Sequence, residues 1–327
     1  MSNQKSFSFF YKEEPTGTDG PAQFDAHINV WNISDENGSP FIDFGLLIRD
    51  YKHVESVYFT APFEVDNKNV EDLSHVLKEN EIQLIFNNSL YKYKQIDSVY
   101  SGYIINDDDK TVLILPIKKD KGNALEYAEQ SNKDGKFHLK IDLAKCKTIP
   151  SNVKTIYIRF RIKNIAPQKL LSTLARRNNY LESAFVERQI LDFKLNNVRT
   201  MDRYDLTNLL GENYKLMRFK TIHLFVMIPS DYEMTIWGNF SECRQLEKEE
   251  WKNYLSANEG GTYDDISAYH WKEKAKLSEY VDEFAQLIKM EHKATNKKLI
   301  AIYCAIAIIL GALGSLVVEI IKWLFSI

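Results

Sequence analysis

Asp25 and His27 stand two residues apart in Phe24-Asp25-Ala26-His27. Side chains two apart on a strand share a face, so this carboxylate and imidazole could form half a metal site or an acid–base pair. On an antiparallel sheet with one wet face, the same pair would simply fill the polar positions. A second group is basic. Arg159 and Arg161 alternate along a strand-like run, and Arg176, Arg177, Arg188, Arg199 and Arg203 follow. From Arg161 to Lys220, 12 Lys and Arg face 6 Asp and Glu, although the whole chain carries −3. Arginine's planar fork suits phosphate, so these seven arginines are the candidate site for an anionic ligand, a nucleotide or a nucleic acid. Glu182, Glu187 and Asp192 are close enough in sequence to pair with some of them on a solvated surface.

Other chemistry is sparse. Asp107-Asp108-Asp109 could approach a hard cation, but Asn106 and the aspartates suit a hairpin turn better. There is no G-x-x-x-x-G-K-[ST], G-x-G-x-x-G, G-x-S-x-G or H-E-x-x-H. Cys146, Cys243 and Cys304 form no C-x-x-C, which suits a reducing compartment and offers no cysteine zinc site. No cofactor or metal is expected, and the chain reads as non-enzymatic.

From Leu299 to Val318, 20 consecutive residues carry no charge. As a helix they rise about 30 Å, the thickness of a bilayer's hydrocarbon core. Lys322 and Trp323 read as the far interface. Within the span, Ala307, Gly311 and Ser315 recur every fourth residue, a small-residue face that lets transmembrane helices approach and oligomerise. Lys289, Lys293, Lys297 and Lys298 precede the span, so the lysine-rich flank and the N-terminal region are expected in the cytoplasm. The N-terminal residues show no signal peptide. The expected topology is a single-pass tail anchor.

The elements that must position these residues are mostly strands. Alternation marks Phe24–Trp31 and Phe41–Ile48, with Asn37-Gly38 suited to a hairpin between them. Ser56–Phe63, Glu81–Phe86, Val99–Ile105, Thr111–Ile117, Phe137–Leu143 and Val153–Ile165 extend the set, and Val70–Leu77 reads as a short helix. In the second half, helices are expected from Pro167 to about Asn178, over Asp205–Leu210 and over Leu246–Leu255. A strand is expected from Ile190, and Thr221–Ile228 with Met234–Trp237 reads as a hairpin. Gly260-Gly261 marks a linker. Beyond it, Leu277, Tyr280, Val281, Phe284, Leu287 and Ile288 fit one face of a helix running from Ile266 to Lys298 and on into the span.

The fold class read from this pattern is mainly β with α (α+β): an antiparallel β-sandwich-like cytosolic region, an amphipathic juxtamembrane helix and one C-terminal transmembrane helix. The expected organisation is a β-rich sandwich-like domain over 1–165, a mixed α/β subdomain over 166–258, linker and amphipathic helix over 259–298, and the span over 299–325. The layout is similar to that of tail-anchored adaptors and of membrane-acting effectors of bacterial defence systems. Three functions are compatible. The cytosolic domain could sense an anionic ligand or protein partner and couple it to the bilayer by oligomerisation, as a membrane-perturbing effector. It could be a passive membrane-tethered adaptor. It could be a tethered hydrolase or nuclease with a site built from scattered residues.

Overall fold

The computed structural model describes residues 5–14, 22–32, 39–86, 91–96, 101–105, 111–118, 127–146, 149–150, 152–173, 186–201, 205–236, 241–255, 265–276, 279–293 and 297–325. The first half supplies strands β1 (Ser8–Glu13), β2 (Gln23–Trp31), β3 (Phe41–Arg49), β4 (Val54–Ala61) and β5 (Val70–Asp72). Helix α1 (Glu79–Phe86) precedes β6 (Tyr91–Gln95), β7 (Ser101–Ile105), β8 (Thr111–Ile114), β9 (Ala128–Lys133), β10 (Lys136–Asp142) and β11 (Thr155–Ile162). Then come α2 (Pro167–Leu170), β12 (Leu171–Thr173), β13 (Val186–Leu195), β14 (Tyr214–Leu216), β15 (Phe219–Pro229), β16 (Glu233–Ile236) and β17 (Glu242–Gln245). The chain ends with α3 (Lys248–Leu255), β18 (Ile266–Lys274), β19 (Phe284–Lys293) and α4 (Lys297–Leu324).

These strands form three sheets. A central ten-stranded sheet runs β17-β18-β15-β2-β3-β11-β8-β7-β6, with β5 also on β11. A five-stranded sheet runs β14-β1-β4-β10-β9, and a four-stranded sheet runs β12-β13-β19-β16. The β-rich, sandwich-like class expected from alternation is what the chain adopts. Most pairs are antiparallel, but β15 lies parallel to β2, and β11 parallel to β8.

Alternation explains the layering. On β2, Phe24, Ala26, Ile28 and Val30 face the five-stranded sheet; on β3, Ile42, Phe44, Leu46 and Ile48 do the same. Phe44 meets Phe59 of β4 at 4.7 Å between ring centroids, and Phe59 meets Phe160 of β11 at 5.1 Å. These rings fill the space between the two sheets, each contributing a large share of buried apolar area. The four-stranded sheet joins the same core through Leu191, Phe193, Phe284 and Ile288.

Several local expectations are corrected. Glu81–Phe86 belongs to α1, because Ile82 and Ile85, three apart, share the buried side while Glu79 and Glu81 occupy the first turn. Val70 begins a short strand rather than a helix, paired with Ile162 of β11. The helix from Pro167 stops at Leu170, and its successor pairs with β13. The strands β15 and β16 do not form a hairpin; they sit in different sheets. Strands pair across the expected boundaries at 165/166 and 258/259: β15 lies beside β2, β14 beside β1 and β18 beside β15.

The amphipathic juxtamembrane helix expected from Ile266 to Lys298 is replaced by strands among the described residues. Residues 266–274 and 284–293 are strands. Phe284, Ile288 and Met290 follow a two-residue period and are the buried set, whereas Leu287, which a helical face would join to Phe284 and Ile288, is 40% exposed on the other side. A ten-residue antiparallel ladder between β19 and β13 decides the outcome, since tertiary pairing overrides local preference. The Asn37-Gly38 turn, Asp107-Asp108-Asp109 and Gly260-Gly261 lie outside the described residues.

Candidate functional site

The second face of the central sheet carries the unusual chemistry. Its positions are Asp25, His27, Asn29 and Trp31 on β2; Phe41, Asp43, Gly45 and Leu47 on β3; Tyr157, Arg159 and Arg161 on β11; and His223 and Phe225 on β15. Alternation alone assigns such a face to solvent. Here it is covered by α1, whose Phe86 meets His27 and Tyr157, and by α3, whose Trp251 and Tyr254 meet Trp31.

At one end lies a carboxylate shared by several donors. Asp43 accepts from Arg161 Nε at 2.6 Å and Nη2 at 3.1 Å, from Trp31 Nε1 at 2.8 Å and from the Tyr254 hydroxyl at 2.8 Å. Arg159 donates to the Tyr254 hydroxyl at 2.6 Å and to the Tyr157 hydroxyl at 2.9 Å, and its Nη2 lies 4.0 Å from Asp43. Asp43, Arg159 and Arg161 are all 0% exposed. Burial opposes charge on both guanidiniums; for Arg159 it is outweighed by Tyr157, Tyr254 and Asp43, and for Arg161 by Asp43, so both pKa values are raised and both side chains stay cationic. Burial pushes the Tyr254 hydroxyl up and keeps it protonated. Gly45 makes room for the network: a Cβ there would stand 2.2 Å from the Tyr157 hydroxyl and 2.9 Å from Arg159 Nη1.

At the other end three imidazoles stand on three adjacent strands. His27 is opposite His223 in the β2–β15 ladder, and His270 of β18 is opposite Phe225. His223 Nδ1 and His270 Nε2 are 3.0 Å apart and share one hydrogen bond. The His270 ring stacks on Phe225 at 4.1 Å, and His27 lies 5.1 Å from His223 between centroids. Burial, then the neighbouring imidazole, depresses His223 to about 3. Burial, then Lys272 and Arg244, depresses His270 to about 4. His27 is held well below the usual imidazole range by burial, His223 and Arg159. All three are neutral at pH 7. Among the described residues no group of three His, Cys, Asp or Glu is arranged to hold a metal ion.

Of the arginines expected to form one anionic site, the four described ones, Arg159, Arg161, Arg188 and Arg199, are dispersed. Arg159 and Arg161 are buried within the protein's own carboxylate and phenol network and present no surface to a ligand. Arg188 pairs with Glu291 across the β13–β19 ladder, and Arg199 is exposed in a turn. Arg176, Arg177 and Arg203 lie outside the described residues. Asp25 and His27 do share a face, but each is only 6% exposed, and Asp25 pairs with Arg49 instead of His27. Sequence reading missed Asp43, Tyr254 and His223. A usable signal was present: Trp31, Phe41 and Tyr157 alternate in phase with the polar residues, and rings of that size on a supposedly wet face call for a cover.

Helix α4 is solvent-facing along its described length, and Ile300–Leu324, 25 residues, is long and apolar enough to cross a membrane. Ala307, Gly311 and Ser315 sit on it, and a Cβ at Gly311 would meet no atom within 4 Å. Ser315 Oγ donates back to the Gly311 carbonyl at 3.2 Å.

No protein-family model matches the chain. No curated protein matches it. Among solved structures, the chain is similar to the Fcho1 Mu homology domain (Danio Rerio) with bound Eps15 peptide, at 8% identity and a TM-score of 0.17, over 90% of this chain and 82% of that one. At that TM-score the likeness carries no argument.

Proposed function

We propose that the protein is a single-pass membrane protein whose β-sandwich serves recognition rather than catalysis and is held close against the bilayer on its cytoplasmic side. The observation that carries this reading is the junction between β19 and α4. Only residues 294–296 separate Lys293 from Lys297, so the sheet end lies within about 14 Å of the helix start at full extension. Lys297 and Lys298 at that start suit the cytoplasmic headgroup region. Without a juxtamembrane rod, signalling between domain and membrane would pass through this short connection.

Two measurements test the reading. Removing residues 299–327 should release the protein from membranes under carbonate extraction; a truncated protein that still resists extraction overturns it. Cys243 is exposed on β17, whereas Cys146 is buried. A membrane-impermeant maleimide should label Cys243 only after the membrane is opened; labelling of intact cells would put the domain on the other side.

Effector and adaptor differ in what the span does. The small-residue face of Ala307, Gly311 and Ser315 favours association of two or more copies. Gly311→Leu should keep membrane insertion yet reduce cross-linking between copies, and any toxicity of the intact protein should fall with it. Unchanged cross-linking would leave the adaptor reading.

A further inference from the structure

We infer that the row of His27, His223 and His270 is an acid-sensitive latch holding the outer unit β17–α3–β18 to the rest of the central sheet. The argument starts from position. Among the described residues, β17 pairs only with β18, and β18 reaches the rest of the sheet only through β15. The His223–His270 hydrogen bond crosses that seam. A neutral imidazole pair can share one proton along this line; two imidazolium rings would present donors to each other at 3.0 Å. α3 lies between β17 and β18 in the chain and hooks the sheet through Tyr254 and Asp43, so release at the seam would strain that hook as well.

The surroundings favour neutrality. Cations on four strands face the row: Arg49 of β3 and Arg159 of β11 towards His27, Lys272 of β18 towards His223 and His270, and Arg244 of β17 towards His270. Asp25, on the histidine face of β2, is engaged by Arg49. Glu242 of β17, 4.0 Å from His270 Nδ1, is the carboxylate at the rim and is half-exposed. The elements packed on His27 offer it the Phe86 ring and the Tyr157 ring. His27 Nδ1 is buried without a partner among the described residues, so protonating it would place a charged donor where nothing accepts.

The sign follows from linkage. The unfolded or released histidines take up protons near pH 6.5, whereas in the closed sheet His270 does so only near pH 4 and His223 near pH 3. Stability from the latch is complete above about pH 6.5 and is lost as pH falls through the window from 6.5 to 4. Each such histidine lowers the closed-to-open ratio about tenfold per pH unit in that window. At pH 5 two of them give a loss of roughly 1,000-fold.

Hydrogen exchange on the full chain in detergent micelles, at pH 7.5 and pH 5 after correction for intrinsic rates, reads the latch at β18. Protection of β18 amides should fall by at least about 100-fold at pH 5, ahead of β10 in the five-stranded sheet. His270→Phe keeps the stack on Phe225 and cannot titrate, and His270→Gln keeps a hydrogen-bonding group and decides the matter if the first variant does not fold. Either variant should reduce the acid effect at β18 by about tenfold or more. Equal protection of wild-type β18 at both pH values, or an undiminished acid effect in the folded variant, overturns the proposal.

Discussion

The two ends of the covered sheet face bury polar groups by opposite means. Around Asp43 the charges stay, because one carboxylate and two phenols answer both guanidiniums. Around His223 the charge is given up, because burial opposes it, neighbouring imidazoles and cations add to that, and the carboxylate at the rim is half-exposed. The first arrangement tolerates pH change but not the loss of a partner. The second tolerates conservative substitution but not acid. A buried polar group thus becomes a scaffold or a sensor according to whether its countercharge is buried with it.

The sharpest way to break this comparison is Asp43→Ala. It strands two buried guanidiniums and leaves Trp31 Nε1 and the Tyr254 hydroxyl without their acceptor, so a loss of about 3–5 kcal/mol is expected. Urea denaturation of the full chain in micelles measures it. A loss below about 1 kcal/mol would mean that the network relaxes or hydrates and is no scaffold. Gly45→Ala should follow, at about 1–3 kcal/mol, because its Cβ must displace the Tyr157 hydroxyl. The thermal midpoint reports this change, and Gly45→Ala combined with Tyr157→Phe should recover part of it.

Tyr254→Phe comes next, at about 1–2 kcal/mol. Its hydroxyl joins Arg159 to Asp43 and ties α3 to the sheet. The loss should appear as faster exchange of α3 amides relative to those of β3. If β3 loosens equally, the helix is a passive cover and the network's hold lies elsewhere.

These residues mark where sequence reasoning stops. The alternation of Phe24–Trp31 and Phe41–Ile48 gives strand identity correctly, because a one-residue slip would put every apolar side chain on the wrong side, and the strand expected over Val153–Ile165 contains β11. It says nothing about what covers the other face. α3 reaches Asp43 from 211 residues along the chain, and no local pattern encodes that meeting. Arg159 and Arg161 read as a surface site because charge usually stays outside; Asp43, the residue that cancels this, is 118 positions away from Arg161. Phe284–Lys293 went wrong for another reason. Phe284 and Ile288 satisfy both periods, Leu287 only the helical one and Met290 only the strand one, and pairing with β13 selects between them. Asp134-Gly135, at φ of 53° and 76°, is a local tight-turn signal between β9 and β10. The span, whose signal is length and composition within one segment, needed no partner to be read.

The smallest effect lies at Arg188, and it separates a structural arginine from a binding one. Its side chain is 35% exposed and its partner Glu291 31%, so solvent screens the pair and Arg188→Ala should change stability by less than about 1 kcal/mol. A near-zero change in stability leaves the side chain free to serve another purpose. β13 pairs in register with β19, and Arg188 faces Glu291 close to the end that leads into α4, which puts it beside the headgroup region in the proposed topology. In that place Arg188→Ala should weaken binding of the protein lacking residues 299–327 to anionic vesicles by a few fold, about 1 kcal/mol for one cation near a charged surface, and the effect should vanish in 0.5 M salt, where the Debye length has fallen to roughly 4 Å. Vesicle flotation at low and high salt measures both. A binding loss that persists in high salt would point to a specific phosphate contact at Arg188, and no loss at either salt would return the residue to its ion pair with Glu291.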